Sequence, residues 1–380
     1  MELDSFSDEF GPELIYEVYD PRTGLRGVTV VDNTALGPGK GGIRMTPTVD
    51  VTEVFRLART MTWKNSLAGL PFGGAKSGII ADVKNISRDK KKDLMQAFGR
   101  ALRPIAPKKY IAAPDVNTAE EEMRWFVEAN GSHHSATGKP SNMCVKPGVK
   151  CGIPHEYGST GYGVSIATLT AARYLGIDPK GMTVAIEGFG NVGTFAAKYL
   201  QEAGAIVVAV SDSKGCVYNK GGMKYSDLMA AKEKKGTVTA YNKGEMLPNS
   251  KIFEIPVDVI IPAAMPDVIT KENVGRVRAK AIVEGANIPM TEEMEEILHG
   301  RGVLVVPDFL ANAGGVISSY AEYMGRNPRD MFKLVKEKLE RNSELVLKRA
   351  EKENMKPRNT ALLIAKERVK AAMAKRDKKF

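Results

Sequence analysis

Three lysines fall within 37 residues of the N-terminal half: Lys40 in GPGKGGIR, Lys64 in MTWKNSLAGLPFGG and Lys76 in GGAKSGII. Lysine is costly to bury, and glycine-rich loops do not need it for folding. Two of the three are flanked by glycine and the third sits on a helical segment. The grouping suits a pocket for a small dianion, with one lysine kept for chemistry. Like charges in a partly desolvated site push lysine pKa values down from about 10.4, at about 1.4 kcal/mol per unit. A lysine poised near neutral pH can serve as a general base.

A second constellation lies in IEGFGNVG, where Gly188, Gly190 and Gly193 spell G-x-G-x-x-G with Asn191 and Val192 between them. The apolar run VAIE precedes it, a helical pattern follows, and Asp212 comes 19 residues after Gly193. That context is what a dinucleotide fingerprint requires. The glycines let the turn approach a pyrophosphate, and the helix N-terminus faces the anion. Asp212 would accept a hydrogen bond from a ribose 2′-hydroxyl, which favours NAD. Ser211, Ser213 and Lys214 beside it could instead support a 2′-phosphate, so NADP or dual use stays open. A glycine-rich turn that binds nothing is the plain structural alternative.

The elements that position these residues alternate between strand and helix. LIYEVY (14–19) and LRGVTVVD (25–32) read as a hairpin across DPRTG. Residues 50–68 read as a helix begun by Asp50 and Glu53, with Lys64 near its C-terminal end. SGIIADV (77–83) reads as a strand, 88–104 as a helix, and 110–116 as the end of another strand. Residues 131–160 are rich in Gly, Pro and Ser without periodicity and read as a connection, with a helix restarting near Thr160. Beyond residue 182, VAIE, AIVVAVSD, VDVIIPAA, KAIVEGAN and VLVVPDF are short apolar runs ending in turns. Such runs suit a parallel sheet buried on both faces. The fold class is therefore α/β with two domains. An N-terminal α/β substrate-binding and oligomerisation domain spans 1–150, and a Rossmann-type dinucleotide-binding domain spans 151–332. Helices at 333–380 return to the first domain.

Bulk properties narrow the function. A chain of 380 residues that is 43% hydrophobic and 26% charged can bury large cores. The formal charge of +10 is concentrated at the C-terminus, where residues 331–380 carry 16 Lys/Arg against 7 Asp/Glu. There the charges interleave with Leu334, Leu339, Val346, Leu362 and Val369, the pattern of solvated amphipathic helices rather than a nucleic-acid surface. The acidic start MELDSFSDEF is unlike a secretory signal, and no run approaches the ~20 apolar residues of a membrane span. Cys144, Cys151 and Cys216 lack CxxC spacing, which argues against a disulfide framework or zinc site and for a reducing, cytoplasmic setting. His133 and His134 read as a solvated loop, Met61, Met182 and Met265 as core filling, and no catalytic metal is implied.

Taken together, GPGKGGIR, MTWKNSLAGLPFGGAKSG, APDV, IEGFGNVG, IPAA, VEGAN and VVPDFLANAGGV resemble the glutamate/leucine/phenylalanine/valine dehydrogenase family over about residues 14–323. The resemblance implies reversible oxidative deamination of an L-amino acid to a 2-oxo acid and ammonium with a nicotinamide cofactor. It implies two domains hinged around a cleft and a homo-oligomer, a hexamer or octamer. It makes Lys64 the binder of the substrate α-carboxylate, Lys76 the lysine that activates water, and Asp115 the carboxylate that shuttles protons. Thr160, Ala263 and Asn287 would stand beside the cofactor, and Asn312 at the nicotinamide and substrate end.

Substrate identity turns on a few positions. In glutamate-specific members, the lysine matching Lys40 and the serine matching Ser319 contact the side-chain carboxylate. Members acting on leucine or phenylalanine are apolar at both. A lysine in a leucine pocket would leave a buried charge unpaired. The opening hairpin looks more like the shorter leucine-type enzymes, and Tyr162 replaces the arginine of a glutamate-type TGRG element. Glutamate is the first expectation because a charge contact discriminates more than overall shape. A leucine/valine/phenylalanine-type dehydrogenase is the alternative within the family. A catalytically inactive nucleotide- or polyanion-binding relative is the alternative from another class.

Overall fold

The computed structural model describes residues 7–378, so most of the acidic start read above lies outside the described residues. The chain forms two compact units. The first holds the residues up to Tyr157, Val316–Leu334 and those from Leu362 onward; the second holds Gly158–Gly315 and Val335–Ala361.

In the first unit the hairpin forms as expected, β1 (Leu14–Asp20) pairing antiparallel with β2 (Leu25–Asn33). It extends through β3 (Gly39–Thr46), β4 (Gly73–Ile80) and β5 (Tyr110–Pro114) into a sheet of order β1-β2-β4-β3-β5. β2 and β4 are antiparallel, while β3 runs parallel to both β4 and β5. Helix α1 (Val51–Leu67) begins where Asp50 accepts a hydrogen bond from the Glu53 amide, as the capping pattern anticipates. It buries Val54 and Ala58 against Val28, Val30 and Val49. Helices α2 (Arg88–Ala101) and α3 (Glu120–Asn130) bring Phe98, Met95, Phe126 and Met123 against Val31, Ile43, Met45 and Ile79. Each such side chain stabilises the fold by roughly 1.5–3 kcal/mol on burial.

Two expectations change here. GPGKGGIR and GGAKSGII are strands, not glycine-rich loops, so Lys40 and Lys76 stand on neighbouring parallel strands. Their glycines answer to packing. A Cβ on Gly41 would lie 1.6 Å from Ala75 O, and one on Gly74 would lie 2.0 Å from Thr62 Oγ1 of α1. The connection at 131–160 also contains structure. β6 (Cys144–Lys146) and β7 (Val149–Cys151) form a small hairpin, and Cys144 and Cys151 are joined by a disulfide. A single staple across a hairpin has neither CxxC spacing nor a framework of repeated pairs, so the sequence pattern did not register it. Cys216 is free and buried. His133 and His134 are not simply solvated, since the His134 ring packs 5.5 Å from Tyr323.

The second unit carries α4 (Ser159–Tyr174) and a seven-stranded sheet. Its strands are β8 (Thr183–Glu187), β9 (Ile206–Asp212), β10 (Gly215–Tyr218), β11 (Glu245–Leu247), β12 (Val257–Pro262), β13 (Ala279–Val283) and β14 (Leu304–Val306). The order β11-β10-β9-β8-β12-β13-β14 reverses at β8, the doubly wound Rossmann-type arrangement. The parallel run from β9 to β14 is the nearly continuous apolar set read above, and β10 and β11 add an antiparallel edge. Helices α5 (Asn191–Glu202), α6 (Tyr225–Lys235), α7 (Glu292–Gly300) and α8 (Asp308–Ala311) connect it. Met182 is buried, whereas Met265, read as core filling, is 64% exposed in the turn after β12. A methionine at an exposed turn has no periodic partners to reveal its position.

The C-terminal helices are α9 (Gly314–Tyr323), α10 (Pro328–Glu353) and α11 (Pro357–Asp377). The last part of α11 packs into the first unit, where Ser66 Oγ donates to Ala365 O at 2.7 Å. Arg368 donates to Leu67 O at 2.7 Å and Ser66 O at 3.0 Å, satisfying carbonyls at the end of α1. Part of the basic C-terminus is thus spent on intramolecular partners. No helix among the described residues is long and apolar enough to cross a membrane.

Candidate active site

β3 carries Lys40 into the interior of the first unit, 1% exposed, with Nζ donating to Ala112 O at 2.8 Å. Burial pushes its pKa down to about 7; Glu322 pulls it up, and Lys139 and Lys76 push it further down. One strand over, Lys76 Nζ lies 2.9 Å from Asp115 Oδ2. Asp115 follows β5 and lies against β3, where a Cβ on Gly42 would come within 2.7 Å of the Asp115 Cβ. Its carboxylate also takes Arg44 Nε at 3.0 Å, and Arg44 Nη1 reaches Glu53 Oε1 at 2.5 Å. Burial alone would raise the Asp115 carboxyl, but Lys76 and Arg44 outweigh it and hold it below the usual carboxylate value. Lys64 is half-buried in the last turn of α1, and the next residue, Asn65, donates to Lys40 O at 3.4 Å. Ser319 is half-buried on α9, one turn before Glu322.

Sequence reasoning missed Arg44, Lys139 and Glu322. Lys139 Nζ meets Glu322 Oε1 at 2.6 Å, with side-chain exposures of 3% and 1%. Lys139 was hidden in the Gly/Pro-rich stretch read as a connection, and Glu322 in an ordinary helix. The only available signal was the TGKP turn, where Gly138 takes φ +73. Arg44 had a clearer signal, since it ends the GPGKGGIR motif.

In the second unit the fingerprint glycines play three separate parts. Gly188 has φ +90, the left-handed region that favours glycine, and a Cβ there would meet Ala264 at 2.6 Å. A Cβ on Gly193 would lie 2.0 Å from Gly188 O, so close helix–strand packing demands glycine there. A Cβ on Gly190 would meet nothing within 4 Å, leaving open space on the exposed side of the turn. Helix α5 starts at Asn191 and Val192 with no side-chain cap, so its first amides face that space. These features fit a dinucleotide pyrophosphate.

Asp212 ends β9 as expected, but its carboxylate already accepts from the Lys214 amide at 2.8 Å, the Val238 amide at 2.7 Å and Thr237 Oγ1 at 3.1 Å. A carboxylate offers about four acceptor sites, so one remains for a ligand hydroxyl. Ser211 is buried with its hydroxyl beneath the Gly188 amide, while Ser213 and Lys214 are exposed.

Ala263 lies just past β12, its amide donating to Glu187 O at 2.7 Å. Asn312 Nδ2 donates to Asn287 Oδ1 at 2.8 Å, which brings those two residues together, and Asn312 Oδ1 is buried without a hydrogen-bond partner. Thr160 stands in the first turn of α4, where a Cβ on Gly315 would come within 2.9 Å of its hydroxyl. Tyr162 packs edge-on against Tyr199 of α5, with ring centroids 4.7 Å apart. The loop bearing Asn287 is held by Arg358, which binds Glu284 and Glu295 at 2.6 Å and Asp308 at 3.0 Å. Asp308 in turn accepts from the amide of Ile288, a residue with φ +49.

Residues 12–131 match the Glu/Leu/Phe/Val dehydrogenase dimerisation domain. The chain is 43% identical over 360 residues to the glutamate dehydrogenase of Thermotoga maritima, covering 92% of this chain and 86% of that one. It is 41% identical over 315 residues to the NADP(+)-dependent glutamate dehydrogenase of Pyrobaculum calidifontis, covering 81% and 73%. Among solved structures it resembles the hetero-hexameric glutamate dehydrogenase of Thermus thermophilus, with a TM-score of 0.84 and 29% identity over 96% of this chain and 90% of that one. Residues 151–377 match the Glutamate/Leucine/Phenylalanine/Valine dehydrogenase model, and the chain belongs to that family.

Proposed function

We propose that this chain is an NAD(P)-dependent glutamate dehydrogenase, converting L-glutamate and water reversibly to 2-oxoglutarate and ammonium. The observation that carries the substrate choice is Lys40, a cation held 1% exposed inside the fold with only carbonyl oxygens as hydrogen-bond acceptors. A leucine-type pocket would leave that charge with no ligand carboxylate and only Glu322, which Lys139 already engages at 2.6 Å. Lys40 and Ser319 bind the side-chain carboxylate, and Lys64 binds the α-carboxylate. Asp115, held ionised by Lys76 and Arg44, takes the proton from the substrate ammonium. After releasing its own proton to solvent, the Lys76 amine takes a proton from the water that attacks the iminium carbon, and Asp115, 2.9 Å away, hands the proton it took from the substrate to the departing ammonia. General base catalysis of this kind is worth about 10²–10⁴ in rate.

Gly188, Gly190 and Gly193, with the first amides of α5, would hold the pyrophosphate. Asp212 would meet the ribose, and Thr160, Ala263, Asn287 and Asn312 would surround the nicotinamide. When bound, the nicotinamide supplies the hydride acceptor. Exposed Lys214 and the NADP(+)-dependent relative favour dual cofactor use. The dimerisation-domain match supports assembly into an oligomer, which we read as a homo-oligomer of this chain, while the Thermus thermophilus relative assembles as a hetero-hexamer. A rate matrix of glutamate, leucine, valine and phenylalanine, each with NAD and NADP, tests the reading. Turnover of leucine above glutamate would overturn it.

A further inference from the structure

The buried pair Lys139–Glu322 has no place in the chemistry above, yet it is built into the same site. Glu322 Oε2 accepts from the amides of Gly138 at 2.7 Å and Ile153 at 2.9 Å, while Oε1 faces Lys139. Lys139 Nζ also donates to Ala136 O at 2.6 Å. Ala136 is bridged to Ala112 of β5, and Ala112 O accepts from both Lys40 Nζ at 2.8 Å and the Thr137 amide at 3.0 Å. One backbone segment therefore carries the Lys40 and Lys139 contacts together.

The charges acting on Lys40 come from three directions: Glu322 from α9, Lys139 from the segment after α3, and Lys76 from β4. The neighbouring elements add Lys64 on α1, Asp115 after β5, and the buried Tyr110 phenol, whose hydroxyl donates to Gly41 O at 3.1 Å. Asp115 is already engaged by Lys76 and Arg44. Glu322 is thus the one carboxylate among these groups left to face the two cations Lys40 and Lys139. Without Glu322, a desolvated Lys40 facing two cations would shed its proton. Without Lys139, Glu322 would neutralise Lys40 outright, and a ligand carboxylate would no longer be needed.

We propose that Glu322 is the fixed counter-ion of the side-chain end of the substrate pocket, shared between Lys139 and Lys40, and that this pair sets the preference for a dicarboxylate. Glu322 and Lys139 are positioning residues that act through Lys40. The proposal rests on the reading that Lys40 meets the substrate's side-chain carboxylate.

The test is the pH dependence of competitive inhibition against glutamate in the full-length enzyme. The probes are glutarate, which has two carboxylates and no titrating amine, and pentanoate, which lacks the second carboxylate. In the unaltered enzyme, glutarate Ki should rise about tenfold per pH unit above a break near the Lys40 pKa of about 7, while pentanoate Ki stays flat. Glu322→Gln should move the glutarate break at least about one unit toward acid, a tenfold higher Ki at pH 8. Lys139→Met should move it the other way, and it carries the test if Glu322→Gln fails to fold. A glutarate break unmoved in both variants, or equal weakening of both probes at every pH, overturns the proposal. Failure of glutarate to inhibit the unaltered enzyme would instead overturn the substrate reading on which it rests.

Discussion

Replacing Lys40 by leucine separates substrate recognition from folding, because the surroundings of Lys40 survive its loss. Ala112 O keeps the Thr137 amide as a donor, and Glu322 keeps Lys139 and two backbone amides. Exchanging a desolvated cation for an apolar side chain is often neutral or stabilising when no opposite charge is orphaned. Thermal unfolding at pH 7 should therefore shift little.

Stability should show a pH signature. The folded pKa of Lys40, about 7, lies below its ordinary value of 10.5. Between those pH values the unfolded chain binds the extra proton, so the native state of the unaltered protein gains stability as pH rises through that window. Lys40→Leu should lack that gain.

Activity should fall steeply. Truncating one partner of a buried charge pair costs about 2–5 kcal/mol. At about 1.4 kcal/mol per tenfold, that is roughly 30-fold to 5,000-fold in kcat/KM for glutamate. With a pKa of about 7, only about a tenth of the free enzyme carries the Lys40 charge at pH 8, so the loss should grow toward the acid end of the assayed range. The assay is initial-rate reduction of NAD(P) with glutamate and with leucine across pH 6–9. Glutamate kcat/KM unchanged in a folded variant would refute the role given to Lys40.

Three further outcomes are expected. Lys76→Ala should lower kcat about 10²–10⁴-fold while fluorescence titration shows unchanged NAD(P)H affinity; an equal loss of cofactor binding would make Lys76 structural. Gly190→Ala should leave the melting temperature unchanged but weaken NAD(P)H binding about tenfold or more, whereas Gly193→Ala, whose Cβ would lie 2.0 Å from Gly188 O, should destabilise the fold itself. The reverse ranking in cofactor titration and thermal melts would count against the dinucleotide turn. Arg358→Met leaves three buried carboxylates without their cation and should cost about 3–5 kcal/mol in urea unfolding. An unchanged midpoint would show that Arg358 does not hold the Asn287 loop.

The sequence alone determined those features that depend on local pattern. Period-two and continuous apolar runs marked most strands, the Asp50 and Glu53 spacing marked the start of α1, and G-x-G-x-x-G with a distant acid marked the turn between β8 and α5. Motif order along the chain identified the family. Tertiary structure decided the rest, because its causes are non-local. Glycines at 39–42 and 73–74 read as loops, yet they lie in strands, where side chains would collide with neighbouring backbone or with α1. Cys144 and Cys151 became partners only because a hairpin set them opposite each other. Lys139 and Glu322 lie 183 residues apart and carried no spacing signal, yet burial made them a fixed ion pair. The electrostatic setting of Lys40 is likewise a property of packing. Its type and motif were legible, but its low pKa exists only because the fold removes water from it and brings Lys76, Lys139 and Glu322 around it.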